Sequence, residues 1–292
     1  MLSLLMFPAL FFLIFLGFPV AFSLIGSAFI FGIFTFGDAV FFQFISKIEG
    51  IASNFILAAV PLFVFMGSML ERSGIAQQLF SAIHMWTRRL PGGLAIGAII
   101  MCIIFAASTG VIGATESVVG LLAIPAMLKH KYSHSLISGT ICAGGSLGTI
   151  IPPSVVVVVL GPIADVSIGD LMVGMIFPGL ILAALYIIYI VILCIFRPEN
   201  GPTITEEDEI DRLSFNQKIF ITFKALVPPL LMIFSVLGSI MLGWAAPTEA
   251  AALGAAGALI LSVIYKKFTL KTFKEALIKT ITITAMIMFI LM

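Results

Sequence analysis

The sequence predicts an all-α polytopic membrane protein. Of its 292 residues 61% are hydrophobic and only 10% charged, with 27 Phe and a mean hydropathy of +1.23, whereas soluble domains carry about 25% charged residues. The gaps between charges repeatedly reach the ~20 apolar residues that one helix needs to cross the hydrocarbon core. Several of these oily runs are interrupted near their middles by Gly, Ser, Thr or Pro, which bears on function as well as on fold.

Other classes fall away early. A net charge of +1 with no basic run interleaved with aromatics excludes nucleic-acid binding. Cys102, Cys142 and Cys194 are far apart in apolar sequence and read as small core residues rather than a disulfide framework. The N-terminus MLSLLMFPALFFLIFLGFPVAF has no basic n-region and outruns any signal-peptide core, so it reads as a retained first span.

In chain order, the run 3–36 is too long for one upright helix and contains Gly17 and Pro19, so it forms one bent helix or two segments. The run 52–70 is short and carries Pro61. Residues 71–91 alternate at a roughly helical period, with Trp86 beside Arg88 and Arg89, which suits a helix lying in the interface. The runs 92–128 and 132–165 are each too long for one span and broken in the middle, and 168–196 follows as a further span. Residues 197–216 form a polar linker with an acidic cluster at Glu206–Glu209. Spans 219–243 and 247–265, a second interfacial segment at 266–280 and the run 281–292 complete the chain. Lys and Arg flank nearly every boundary, so the linear sequence sets no orientation. GFPVAF at 17–22 and GWAAPTEAA at 243–251 echo each other across 228 positions, and a repeat on that spacing would place the partner of Ser108–Glu116 beyond Met292.

The stretch AASTGVIGATES at 106–117 concentrates polar residues inside an oily run. In lipid every backbone N–H and C=O must be paired, so irregular backbone survives only where protein or a cavity covers it. A reversal at Ser108-Thr109-Gly110 and Gly113-Ala114-Thr115 makes a re-entrant hairpin whose arms, about 15 residues each, are too short to span. Its tip would offer carbonyls and hydroxyls to a hard cation, and a helix starting near Thr115 would offer N–H donors to a carboxylate. Small residues also serve plain helix packing. Glu116, the only carboxylate between Glu71 and Asp165, has two open readings: a group that binds a cation, accepts a proton or caps the hairpin tip, or one that sits in a water-filled vestibule or hydrogen-bonds a structural neighbour while staying protonated.

The second break, AGGSLGTIIPPSVVVVVLG at 143–161, combines Gly144, Gly145 and Gly148 with Pro152 and Pro153 before Ser154. Those prolines remove two donors and stop the helix. A hairpin paired with an unwound helix is the expected signature of a secondary transporter's midplane site. Glu249, in Pro247-Thr248-Glu249, suits helix capping better than transport. His130 and His134 lack a third metal ligand, and a Ser108–His134 nucleophile pair lacks its partners, so no catalytic or metal-centre role is assigned.

Taken together, several segments carry a family resemblance. They are Ser108-Thr109-Gly110 through Pro125-Ala126-Met127, Gly144 to Ser154, Ser167-Ile168-Gly169-Asp170-Leu171, Phe177-Pro178-Gly179, GFPVAF, VPLFVFMGSMLERSG at 60–74 and GWAAPTEAAALGAAGAL at 243–259. The chain resembles the large membrane subunit, the DctM family, of tripartite ATP-independent periplasmic (TRAP) transporters. That resemblance implies a bacterial inner-membrane, multi-pass, elevator-type secondary transporter of two inverted repeats. It also implies sodium as coupling ion, no cofactor, and uptake of a small organic acid such as a C4-dicarboxylate. The partners implied are a soluble periplasmic binding protein that delivers the substrate and a small membrane subunit. Residues 1–196 would be the first repeat, with an arm helix at 75–90, the hairpin at 92–128 and the broken helix at 132–165; 197–216 would be the linker, and 217–292 the start of a second repeat. By the same resemblance Ser108, Thr109, Gly110, Gly113, Thr115, Glu116 and the segment Gly144, Gly145, Gly148, Pro152, Pro153, Ser154 would line the ion and substrate sites, with sodium at Ser108, Thr109, Gly110 and Gly148. Some members carry a Ser-Gly-Ser tip where this chain reads Ser-Thr-Gly. The family's second hairpin and second proline pair do not occur before Met292, so a fragment serving only assembly is the alternative expectation.

Overall fold

Lipid leaves the backbone no partner but itself, and the chain answers with helix almost throughout. The structure, a computed structural model, describes residues 2–110, 112–203 and 214–292; among them are thirteen α-helices and no strand. The acidic cluster at 206–209, expected in a solvent linker, lies outside the described residues. The chain divides into a smaller unit, Met1–Ala58 with Ile281–Met292, and a larger one, Ala59–Thr280.

In the smaller unit the first apolar run resolves into two helices, α1 (Leu2–Phe15) and α2 (Val20–Phe36). Gly17, at φ +92°, makes the break, a backbone angle that costs glycine little, and Pro19 precedes α2. A third helix, α3 (Ala39–Ala52), occupies a stretch that the spacing of charges had left between spans. Its polar positions, Gln43, Lys47 and Glu49, hid an apolar face whose Phe41 and Phe44 meet Phe29 edge to face at 5.4 and 5.6 Å.

The larger unit holds α4 (Ala59–Arg72), α5 (Ile75–Thr87), α6 (Gly93–Thr109), α7 (Ile112–Lys129), α8 (His134–Ile150), α9 (Val155–Ala164), α10 (Ile168–Phe196), α11 (Phe215–Met241) and α12 (Pro247–Ile264). It ends in the first half of α13 (Leu270–Leu291). The segments 266–280 and 281–292 were expected as an interfacial helix and a separate span, but α13 runs through both without a break. Four helical stretches, Phe55–Arg72, α10, α11 and α12, are long and apolar enough to cross a membrane; α8 and α9, bent by 43° at their break, make a fifth as a pair. The protein is therefore an all-α polytopic membrane protein. On α10, the apolar side chains of Phe177 and Phe196 are 75% and 80% exposed.

The core forms around α6, almost wholly buried from Gly93 to Thr109 among α5, α7, α8 and α10. Cys102 and Cys194 are buried there, but Cys142 is exposed on α8, which corrects its reading as a core residue. Helix starts follow local chemistry. The Ser133 and Ser167 side chains accept from Leu136 N–H (3.3 Å) and Asp170 N–H (3.4 Å), and Glu249 accepts the Ala246 N–H at 2.9 Å, so Glu249 is a cap. Backbone bonds tie the base of the α6–α7 pair to the segment after α10: Gly92 N–H donates to Gly201 O (3.1 Å) and Ser133 N–H to Asn200 O (3.0 Å). The buried Tyr132 hydroxyl accepts from Leu94 N–H at 3.2 Å. Burial pushes its phenol up to about 12, against the opposing pull of that N–H, so it stays protonated.

At the end of α4 two ion pairs hold the first half of α13. Arg72 Nη1 donates to Glu275 Oε2 at 3.1 Å and Lys279 Nζ to Glu71 Oε2 at 2.5 Å, beside an edge-to-face pair of Phe65 and Phe273. Partly exposed pairs of this kind weaken with salt. Lys279→Met is therefore expected to raise the rate of limited proteolysis at the α12–α13 junction several-fold at low salt. At high salt the unmodified protein should approach the variant.

Candidate functional site

Two interruptions dictated by sequence meet in space. The last residue of α6 is Thr109, and Gly110 turns the chain at φ +63° with its N–H on Ala106 O (2.9 Å). Between α8 and α9, Pro152 and Pro153 lack N–H donors, and the helix restarts at Val155. Val155 N–H donates to Gly110 O at 3.4 Å, so one break supplies an acceptor to the other. A Cβ on Gly110 would lie 2.7 Å from Pro153 O and 3.4 Å from Ser154 Cα. The contact thus needs glycine twice, for its backbone angle and for its missing side chain.

The hydroxyls around this contact are buried and engaged. Ser108 Oγ donates to Ile104 O (2.8 Å) and Ser154 Oγ to Thr149 O (2.8 Å), while the Thr109 and Thr115 hydroxyls lie 3.1 Å apart. Thr109 and Thr115 are fully buried, and Ser154 as well. The C-terminal carbonyls of α6 converge here with the first turns of α7 and α9. Helix geometry leaves such terminal carbonyls and N–H groups without intrahelical partners, which suits them to a cation and an anion respectively.

Not every expected residue joins this cluster. α7 starts at Ile112, earlier than the start near Thr115 read from sequence, and Gly110 takes the left-handed angle after α6. Gly113 therefore lies inside α7, exposed, with nothing within 4 Å of where its Cβ would be. Glu116 is half-buried farther along α7, its side chain lying over the bare backbone of Gly145, where a Cβ would overlap it. No hydrogen bond from the described residues reaches its carboxylate, so Glu116 does not cap the tip. Gly144 faces α6 instead, where a Cβ would fall 2.6 Å from Cys102 Sγ. Adjacent glycines on α8 thus seat both arms of the pair, and Gly148 is buried in the last turn before the break.

Ser108, near the end of α6, and His134, at the start of α8, sit at opposite ends of that helix pair, so these two do not form a nucleophile–base pair. Among the described residues no group of three His, Cys, Asp or Glu is placed to hold a metal.

Residues 7–292 match the family described as Tripartite ATP-independent periplasmic transporter, DctM component. The chain belongs to that family. It is 32% identical over 246 residues to the C4-dicarboxylate TRAP transporter large permease protein DctM of Pseudomonas aeruginosa, covering 84% of this chain and 56% of that one. It is 30% identical over 281 residues to the sialic acid TRAP transporter large permease protein SiaM of Vibrio cholerae, covering 96% and 64%. Identity is 29% over 286 residues with the ectoine/5-hydroxyectoine TRAP transporter large permease protein UehC of Ruegeria pomeroyi, covering 94% and 63%. The chain spans between 56% and 64% of the length of these relatives. DctM proteins are inner-membrane transporter permeases, which agrees with the helices long and apolar enough to span.

One participant in this DctM chain was not read from sequence. Gly67 of α4 backs the tip, and a Cβ there would stand 2.9 Å from both Thr109 Cα and Thr109 O. Its signal is a small residue inside VFMGSML, an oily run with no turn to explain it. Gly110→Ala combines an unfavourable left-handed residue with a backbone clash and is expected to destabilise by roughly 2 kcal/mol or more. Gly113→Ala, in an open helical position, is expected to be neutral or slightly stabilising. Thermal unfolding of the two variants in one detergent checks the contrast, and equal midpoints would contradict it.

Proposed function

We propose that this chain forms part of a TRAP large permease that takes up a small carboxylate, a C4-dicarboxylate or similar acid, in symport with sodium. The observation that carries this reading is the meeting of the two backbone breaks at Gly110 and Val155. Interrupted helices at membrane depth put carbonyl ends next to N–H ends, the arrangement that secondary transporters use for a cation and an anionic substrate group together. Carbonyls near Ser108, Thr109 and Gly110, with Gly148 across the break, supply the hard oxygens that sodium prefers. The first turns of α7 and α9 supply donors to the carboxylate. In this reading the contact is half of a site with two-fold symmetry in an elevator-type transporter. Substrate arrives on a periplasmic binding protein, and a small membrane subunit completes the assembly. The relatives' names differ in substrate, so family membership does not choose the acid.

Folding also sorts the charges that the linear sequence mixes. In the larger unit, contacts such as Gly92–Gly201, Ser133–Asn200 and Tyr265 Oη to Lys224 O gather the ends of α4, α5, α7, α10 and α12 with the starts of α6, α8 and α11. Every described Lys and Arg of that unit lies at this end, from Arg72 to Lys279. The opposite end, where Gly169 meets Ile240, carries Asp165, Asp170 and Glu249 and no base. We assign the basic end to the cytoplasm, so the α6–α7 pair enters from that side.

Uptake of a labelled dicarboxylate by proteoliposomes holding the complete transporter, with its binding protein present, is expected to require an inward sodium gradient; accumulation without sodium would sink the coupling. Glu116→Gln should change the sodium or pH dependence of that uptake if its charge serves the site, and identical profiles would return Glu116 to packing over Gly145. In a cysteine-free background on intact spheroplasts, a membrane-impermeant thiol reagent is expected to label Asp165→Cys and to spare Lys131→Cys. The reverse pattern would invert the orientation.

A further inference from the structure

A cleft of about 710 Å³ opens between α8 and the C-terminal part of α10, at the base of the α6–α7 pair rather than at its tip. Its two ends differ chemically. At the basic end lie Arg197, Asn200, Ser133 and Ser135; deeper, the wall is Thr140 with Tyr189 and other apolar or aromatic side chains of α10. Arg197 is exposed at the end of α10 and has no ion-pair partner among the described residues. Thr140 is only 3% exposed, and its hydroxyl has no hydrogen-bond partner among the described residues. A buried hydroxyl without a partner is costly and rare, so its position on a cleft wall points to an occupant that supplies the missing bond.

The occupant must be anionic at one end and apolar at the other. Arg197 stands where α10 leaves the membrane, the depth of lipid phosphates, and basic pockets between helices at that depth hold anionic head groups. Thr140 follows Ser135 by five residues, which at 1.5 Å per residue places it roughly 7 Å deeper, at the level of glycerol esters below the phosphate. Tyr189 is 62% exposed, so the cleft opens sideways into the region of acyl chains. We propose that this cleft binds one anionic glycerophospholipid, with its phosphate at Arg197, Asn200 and Ser135 and an ester carbonyl accepting from Thr140. A free phosphate ion would satisfy the first group of contacts and leave Thr140 and the apolar wall unused. The proposal depends neither on the transport reading nor on which face is cytoplasmic, since it concerns only the leaflet at the basic end.

The test is native mass spectrometry of the purified, delipidated chain given equal amounts of phosphatidylglycerol and phosphatidylethanolamine. One phosphatidylglycerol is expected to be retained in preference. Arg197→Gln should lower its occupancy at least five-fold, Arg197→Lys should restore most of it, and Thr140→Val should lower it about two- to three-fold. Lys224→Gln, a cation outside the cleft, should leave it unchanged. A phosphatidylglycerol carrying a diazirine on its acyl chain should cross-link to peptides containing Thr140 or Tyr189. Equal retention of the two lipids, occupancy indifferent to Arg197→Gln and Thr140→Val, or cross-links confined to other helices would overturn the proposal. So would complete displacement of the lipid by millimolar inorganic phosphate, which would mark an ion site alone. Matching elution and unfolding midpoints among the variants separate loss of the lipid from loss of the fold.

Discussion

The hydrogen bond from Val155 N–H to Gly110 O carries the architecture of the larger unit. A helix that stops inside a bilayer exposes carbonyls at one end and N–H groups at the other, and lipid can satisfy neither. This chain stops twice, once at Gly110 and once at the proline pair, and places each stop against the other. The requirement that the two breaks meet fixes where α6, α7, α8 and α9 must lie. The close approaches at Gly67, Gly144 and Gly145 are what allow those helices to come near enough.

Much of this was legible because lipid punishes exceptions. Charge spacing located α10, α11 and α12, and the polar run from Ser108 to Glu116 and the Pro152–Pro153 pair marked both breaks. What escaped had a weak linear signal. The helix α3 was hidden by Gln43, Lys47 and Glu49, since a tally of charges cannot separate an amphipathic helix from a loop. The start of α7 was misplaced toward Thr115 because two glycines and two threonines looked equally able to turn the chain, while only Gly110 adopts the left-handed angle. Cys142 looked like Cys102 in composition, and only the facing of α8 told them apart.

The candidate site shows the same division. Residue types raised the expectation of a polar cluster at the two breaks, and the fold brings Ser108, Thr109, Thr115 and Ser154 together there, yet partner identities could not be read from one dimension. Thr109 with Thr115, Ser154 with Thr149 O, and Glu116 over Gly145 are pairings set by helix phase. Orientation was hidden for a related reason: basic residues flank nearly every span in sequence, and only the fold reveals that those of the larger unit share one end.

The pinning of the α6–α7 pair also bears on how it can move. Its base is tied by Gly92 to Gly201, Leu94 to Tyr132 and Ser133 to Asn200, at 3.0 to 3.2 Å, while its tip meets the break between α8 and α9 through Gly110 O and Val155 N–H at 3.4 Å, with Gly67 packed behind Thr109. Mechanically the pair is held at both ends, by hydrogen bonds at its base and by close backbone packing at its tip. A displacement of the base would carry the segment after α10 with it, so the pair and that segment move as a block.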